Sequence, residues 1–194
     1  FQPAGFVNVA GDCFDTVSTV ACYCKPLDMN CSATHFESLQ IHNLTFTGNC
    51  DNNSGYAFYP AINNQTTVMQ RGLEYPFSIQ TSDGQSGTGI WCDFNNDFDF
   101  DDANEFLYGS LSTGTNFSGN IAIPANTATG ERRLRIRTVR GSTLTSGDAC
   151  TYFAAGGETK DFTISINQPT IVINSPLEDI CAGTNITVSF VTTG

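Results

Sequence analysis

The chain has 194 residues and a net charge of −11, with 19 acidic against 8 basic side chains. Phosphate binding needs a basic footprint, so this balance excludes nucleic acid as a partner and disfavours anionic membrane surfaces. No run of about 20 apolar residues exists, so no membrane insertion is expected, and the length suits one domain, or one domain plus a fragment of a neighbour.

In chain order, residues 1–22 are apolar and loop-like, a leader or the tail of a preceding module. No basic stretch followed by an apolar one opens the chain, so any export signal is expected to have been removed. Leu39–Phe46 alternates apolar and polar residues, as does Tyr75–Thr81. Thr88–Phe94, Asn116–Ile123, Glu131–Val139 and Lys160–Ile166 read as further short strands, separated by Gly/Asn/Ser turns. Many short strands at this spacing predict an all-β fold, an antiparallel β-sandwich of jelly-roll-like type. Asp101–Leu107 is the one helical possibility, too short to stand without packing. Residues 168–194 read as a linker and an alternating strand with no partner strand after it, the start of a second, truncated module.

Eight cysteines (13, 22, 24, 31, 50, 92, 150 and 181) with two histidines favour disulfides over zinc, and so an oxidising compartment: secreted or cell surface. Cys13 with Cys22, and Cys24 with Cys31, would close short loops, and Cys50 with Cys150 a long one. Cys92 is left without an assigned state, and Cys181 is expected to await a partner downstream.

The densest chemistry lies in Trp91–Glu105, where six carboxylates fall within thirteen residues. Carboxylates packed this closely repel one another unless a cation sits among them. Oxygen donors without His or Cys suit a hard ion, so Ca²⁺ is the expected cofactor. Against the pattern Asp-x-[Asp/Asn]-x-[Asp/Asn]-Gly-x5-Glu, Asp93, Asn95 and Asp97 fit positions one, three and five. Phe98 stands where glycine is wanted, and Glu105 comes one residue late. The candidate metal residues are Asp93, Asn95, Asp97, Asp99, Asp101, Asp102 and Glu105, with a structural role placed ahead of bridging to a ligand.

A family resemblance rests on several pieces in order. Tyr23-Cys24-Lys25-Pro26 with Cys31 is similar to an opening Tyr-Cys-x-Pro…Cys, and Ile41-x-Asn43-Leu44-x-Phe46 to a first strand. Gly55-Tyr56-x-x-Tyr59 is similar to a Gly-Tyr-x-Asp-Tyr step. Ile90–Phe100 followed by Ala103-Asn104-Glu105 is similar to Val-Trp-Ile-Asp-Trp-Asn-Asn-Asp-Gly-Asp-Phe…Ala-Gly-Glu, and Arg133–Arg137 to Arg-Met-Arg-Val-Arg. Gly157–Phe162 stands for Gly-Glu-Val-Glu-Asp-Tyr. Together these resemble the GEVED domain, an accessory module of secreted multidomain proteins of Bacteroidetes, over about residues 23–167. Residues 168–194 resemble the first strand of an immunoglobulin-like module. Four positions depart from the pattern: Phe58 for Asp, Cys92 for an aliphatic residue, Phe98 for Gly, and Lys160 for the second Glu.

Five of the eight basic residues lie in 132–140, and Arg133, Arg135 and Arg137 share one strand face. They are candidates for clamping the acidic groups of a glycan. Internal pairing with Glu158, Asp161 or the acidic loop is the favoured rival in so acidic a chain. Trp91 is expected in the core, whereas Tyr56, Tyr59 and Tyr152, in Gly/Asn/Ser-rich loops, are candidate stacking surfaces for sugar rings. His35 and His42 lie in no nucleophile motif, so no enzyme is expected. The sequence thus predicts a non-catalytic, calcium-stabilised extracellular recognition module that binds polysaccharide. The alternative is a structural or adhesive repeat contacting neighbouring protein modules or building a surface fibre.

Overall fold

In β5 (Glu74–Thr81), Tyr75, Phe77, Ile79 and Thr81 are buried and every residue between them is exposed. That period of two is what a strand with one face on the core and one in water requires. The computed structural model describes residues 23–26, 30–50 and 55–169. The expected leader at 1–22, with Cys13 and Cys22, and nearly all of the expected second module at 168–194, with Cys181, lie outside the described residues.

Ten strands form two sheets: β1 (Phe36–Ile41), β2 (Leu44–Thr47), β3 (Tyr56–Tyr59), β4 (Val68–Gln70), β5, β6 (Ser86–Asp93), β7 (Phe106–Gly109), β8 (Asn116–Ala122), β9 (Gly130–Arg140) and β10 (Gly157–Asn167). One sheet runs β2-β1-β5-β8; the other runs β3-β10-β9-β6-β7, with β4 also pairing β10. The described residues are all-β apart from one short 3-10 turn at Ser146–Asp148, and a two-sheet sandwich fits them.

Three expectations need correction. Leu39–Phe46 is a hairpin of two strands, turning at His42, whose φ is 52°. No helix forms over 101–107; Asp102–Glu105 turns, with Glu105 N–H donating to the Asp102 carbonyl, and β7 follows. The sandwich is not wholly antiparallel, because β3 and β4 run parallel to β10. Long stretches of chain separate these partners, so no hairpin dictates their direction.

The facing sheets enclose one core, with Leu39, Phe77 and Ile79 from one and Ile90, Leu134 and Phe162 from the other. β6, β9 and β10 are buried on both faces over most of their length. The reason is a second cluster behind the sheet, where Trp91, Phe100, Val139 and Leu144 pack with Tyr23 and Phe153. Trp91 is therefore core, and its indole N–H donates to the Ser146 carbonyl at 3.1 Å. Gly89 makes room for that indole, since a Cβ there would collide with the ring.

Disulfides close this back layer with a different pairing from the one read in the sequence. Cys24 bonds Cys150 and Cys31 bonds Cys50, with Cα separations of 5.8 and 5.2 Å. Neither Cys24–Cys31 nor Cys50–Cys150 forms, because the segment 23–26 crosses the back of the sheet and meets the loop after the 3-10 turn. Cys92 is a buried free thiol.

Candidate functional site

The acidic loop joins β6 to β7 across one end of the back-covered sheet. Three residues in the left-handed region, Asn96 (φ 62°), Phe98 (φ 76°) and Asn104 (φ 78°), coil it tightly. Its polar side chains hold its own backbone. Asp93 accepts from the N–H groups of Asn96 (2.6 Å) and Phe98 (3.1 Å), Asn95 from Asp97, and Asp99 from Asp101.

The coil brings Asp93, Asp97 and Glu105 together, with one carboxylate oxygen from each within 4.8 Å of the others. Asn95 adjoins the group by donating to Asp97 (2.8 Å) and Asp102 (2.6 Å). Asp99 and Asp101 lie outside the trio. The displaced Glu105 reaches it because the turn at Asp102–Glu105 leads into a bulged register between β6 and β7, and the Glu105 carbonyl accepts from Cys92 N–H.

Glu105 is 2% exposed. Its Oε1 accepts from Phe94 N–H at 2.9 Å, whereas Oε2 is buried with no hydrogen-bond partner among the described residues. An unpaired buried carboxylate oxygen is costly. Burial, with repulsion from Asp93 and Asp97, lifts its carboxyl from 4.5 to about 7 despite the Phe94 N–H. A shared ion with oxygen ligands at about 2.3–2.6 Å needs carboxylate oxygens about this close, so the donor set fits Ca²⁺. A recess of about 480 Å³ opens beside the loop, lined by Phe94, Asp102, Glu105, Pro124 and Thr127. Buried Arg132 ties its walls together by donating to the carbonyls of Phe94 and Ala128.

The arginines divide. Arg135 grips Asp161 through two hydrogen bonds (2.7 and 2.8 Å) and donates to the carbonyls of Cys24 and Ala149. Arg137 donates to Thr159 and to the carbonyls of Asp148 and Thr151. Both are fully buried, which removes them from any surface a glycan could touch and corrects their reading as part of a clamp. β9 is a central strand, and its back face is sealed by the 144–153 loop. Arg133 alone of the three reaches solvent. Tyr56 donates its hydroxyl to Asp161, and Tyr59 stacks on Phe162 at 5.0 Å, so both lean into the fold. Tyr152 is 58% exposed.

Two features escaped the sequence reading. Tyr23 donates its hydroxyl to Asp93 at 2.6 Å, tying the N-terminal segment to the acidic loop. Lys160 is buried between the sheets, 3.0 Å from Glu158 and 4.3 Å from the centre of the Phe46 ring, while Glu158 also accepts from Phe36 N–H. The opposite charges at alternating positions 158 and 160 were the available signal.

The GEVED domain family matches residues 87–165, which run from β6 through most of β10. No curated protein matches the chain. Among solved structures, one with some similarity is described as a family 123 glycoside hydrolase from Clostridium perfringens that acts in glycolipid glycan hydrolysis. It is 10% identical with a TM-score of 0.26, and the match covers 62% of this chain but 25% of that one.

Proposed function

We propose that the chain, whose residues 87–165 match the GEVED domain family, an accessory kind of module, is a non-catalytic, calcium-stabilised recognition module of a secreted or cell-surface multidomain protein that binds polysaccharide. The two disulfides are compatible with an extracellular setting. Among the described residues no helix is long and apolar enough to cross a membrane. The observation that carries the metal reading is the buried, unpartnered Oε2 of Glu105 beside Asp93 and Asp97. Ca²⁺ held by these carboxylates would screen their repulsion and fasten the loop to the end of the sheet.

The test is thermal unfolding of the full chain with EDTA and then with 10 mM Ca²⁺. For a dissociation constant of about 10⁻⁴–10⁻³ M, calcium adds about 1.4–2.7 kcal/mol, or roughly 3–10 °C. Glu105→Gln removes that gain. An equal melting temperature in both buffers refutes the metal reading. Affinity gel electrophoresis on neutral and acidic polysaccharides tests recognition, and no retardation on any of them refutes it.

A further inference from the structure

Asp93 holds more than the acidic loop. The same Oδ2 accepts from the Tyr23 hydroxyl and from Phe98 N–H, so one carboxylate positions two aromatic residues whose rings lie 5.5 Å apart. Phe98 is 39% exposed and sits at φ 76°, a conformation that is strained for a bulky side chain. Next to it the Arg133 guanidinium lies over the Tyr23 ring at 4.5 Å and over the Phe58 ring at 3.9 Å. Phe58 is 44% exposed. Between the Phe98 and Arg133 side chains is a recess of about 250 Å³, also lined by Tyr23, Asn96, Glu131 and Thr163.

Charge selects the occupant. Asp161 is the carboxylate that ion-pairs with both Arg135 and Arg133, at 2.7 and 3.5 Å. Arg135 takes both of its oxygens in hydrogen bonds, so Arg133 is left with an ion pair and two ring contacts. Two cations sharing one anion leave the looser pairing to Arg133, the partly exposed member, and the recess is lined by two arginines, Arg132 and Arg133, against one carboxylate, Glu131. A guanidinium stacked on rings, with its side chain 19% exposed, suits a carboxylate, which such a group binds through two parallel hydrogen bonds. The exposed Phe98 ring, which lines the recess, suits the apolar C–H face of a sugar ring.

We infer that the recess framed by Tyr23, Phe98 and Arg133, with Phe58 stacked on that guanidinium, binds an acidic sugar unit of a glycan, with its ring against Phe98 and its carboxylate on Arg133. The inference rests on the polysaccharide reading and narrows it to uronic-acid chains.

The test is calorimetric titration of the full chain with a tetramer of galacturonic acid and with its neutral galactose counterpart. The acidic tetramer binds and the neutral one does not. Arg133→Lys, which keeps the charge but loses the fork, weakens binding at least tenfold. Phe98→Gly does the same while leaving the melting temperature equal or higher, because glycine suits φ 76°; that combination separates a lost contact from a lost fold. Equal binding of both tetramers, or undiminished binding by these variants, overturns the site but leaves polysaccharide recognition standing. Binding of neither tetramer, with retardation on a neutral polysaccharide gel, has the same meaning. Retardation on no polysaccharide at all overturns both. Loss of self-association in Phe98→Gly, with no sugar binding by the parent chain, assigns the patch to protein contact and overturns the inference.

Discussion

Replacing Asp161 by Asn asks what the arginine ladder is for. The carboxylate is fully buried, takes two hydrogen bonds from Arg135 and one from the Tyr56 hydroxyl at 3.0 Å, and sits 3.5 Å from Arg133. Asn keeps the volume and one acceptor but removes the negative charge, and leaves the Arg135 guanidinium buried without its counter-ion. Removing one partner of a buried ion pair costs about 3–5 kcal/mol, because the uncompensated charge stays out of water. Arg135 also holds the carbonyls of Cys24 and Ala149, so the loss spreads into the layer that covers the back of the sheet. At about 2–4 °C per kcal/mol for a domain of this size, the melting temperature falls by roughly 6–20 °C. Guanidinium chloride unfolding of the full chain at pH 7 reads the loss directly as a lower midpoint at unchanged slope. The comparison is Arg133→Gln, where a cation whose side chain is 19% exposed is removed from a longer, 3.5 Å contact and about 1 kcal/mol is lost. If Asp161→Asn costs no more than Arg133→Gln, the network does not hold the fold and the internal reading of Arg135 and Arg137 is wrong.

Other outcomes follow from the same geometry. The Glu105 carboxyl is raised in the folded, metal-free protein from 4.5 to about 7, so its protonated form favours the fold. In EDTA, stability contributed by this group is therefore present below about pH 4.5 and is lost as pH rises through about 7. Unfolding midpoints across pH 4.5–8, compared with Glu105→Gln, detect this, and a parallel pH dependence in the two proteins refutes it. Cys92 is fully buried, and burial first, then Asp93 and Glu105, push its thiol well above the ordinary value; a thiol reagent at pH 8 reacts with it only after denaturation. Disulfide mapping of the unreduced chain should return the peptide pairs Cys24–Cys150 and Cys31–Cys50. Opening the former, which spans 126 residues, with a double Ser substitution costs about 2–5 kcal/mol.

The sequence revealed those parts of the fold whose burial follows a simple period. β5 is half-buried with a strict alternation, so the pattern marks it directly. β6, β9 and β10 sit in the middle of a sheet covered on both sides, and there the period told which residues share a face but not which face is wet. That is why Arg135 and Arg137 could still be read as candidates for a surface clamp, although internal pairing was the favoured rival. β3 and β7 are short and mostly half-buried, without a clear pattern, so neither was separable from loop. In the first hairpin the signal existed: the alternation slips phase between Ile41 and Leu44, which is where the chain turns. Disulfide pairing was not recoverable, since eight cysteines permit 105 complete pairings and only the path of 23–26 over the sheet selects among them. For the acidic loop, density of charge was enough to find Asp93, Asp97 and Glu105. Density could not separate them from Asp99 and Asp101, whose side chains the coil places elsewhere.

The four departures from the GEVED pattern sort by location, and the sorting bears on where recognition resides. Cys92 and Lys160 lie on the inner faces of β6 and β10, fully buried. Lys160 brings its own solution with it, an ion pair to Glu158 and the Phe46 ring beneath its ammonium. Changes of that kind refit a core and leave nothing for a ligand to touch. Phe58 and Phe98 lie far apart in sequence, on an edge strand and at the tip of the acidic loop, and both are exposed. Yet they converge on one cation: Phe58 contacts Arg133 directly, and Phe98 packs on the Tyr23 ring that Arg133 also covers. Neither aromatic is required by the packing of the sandwich, and Phe98 persists in a conformation that glycine would adopt without strain. Two solvent-facing phenyl groups gathered around one incompletely neutralised guanidinium are better accounted for by an external partner than by stability. Asp93 links that surface to the acidic loop, so the same carboxylate that would hold Ca²⁺ also fixes the two rings that would receive the sugar.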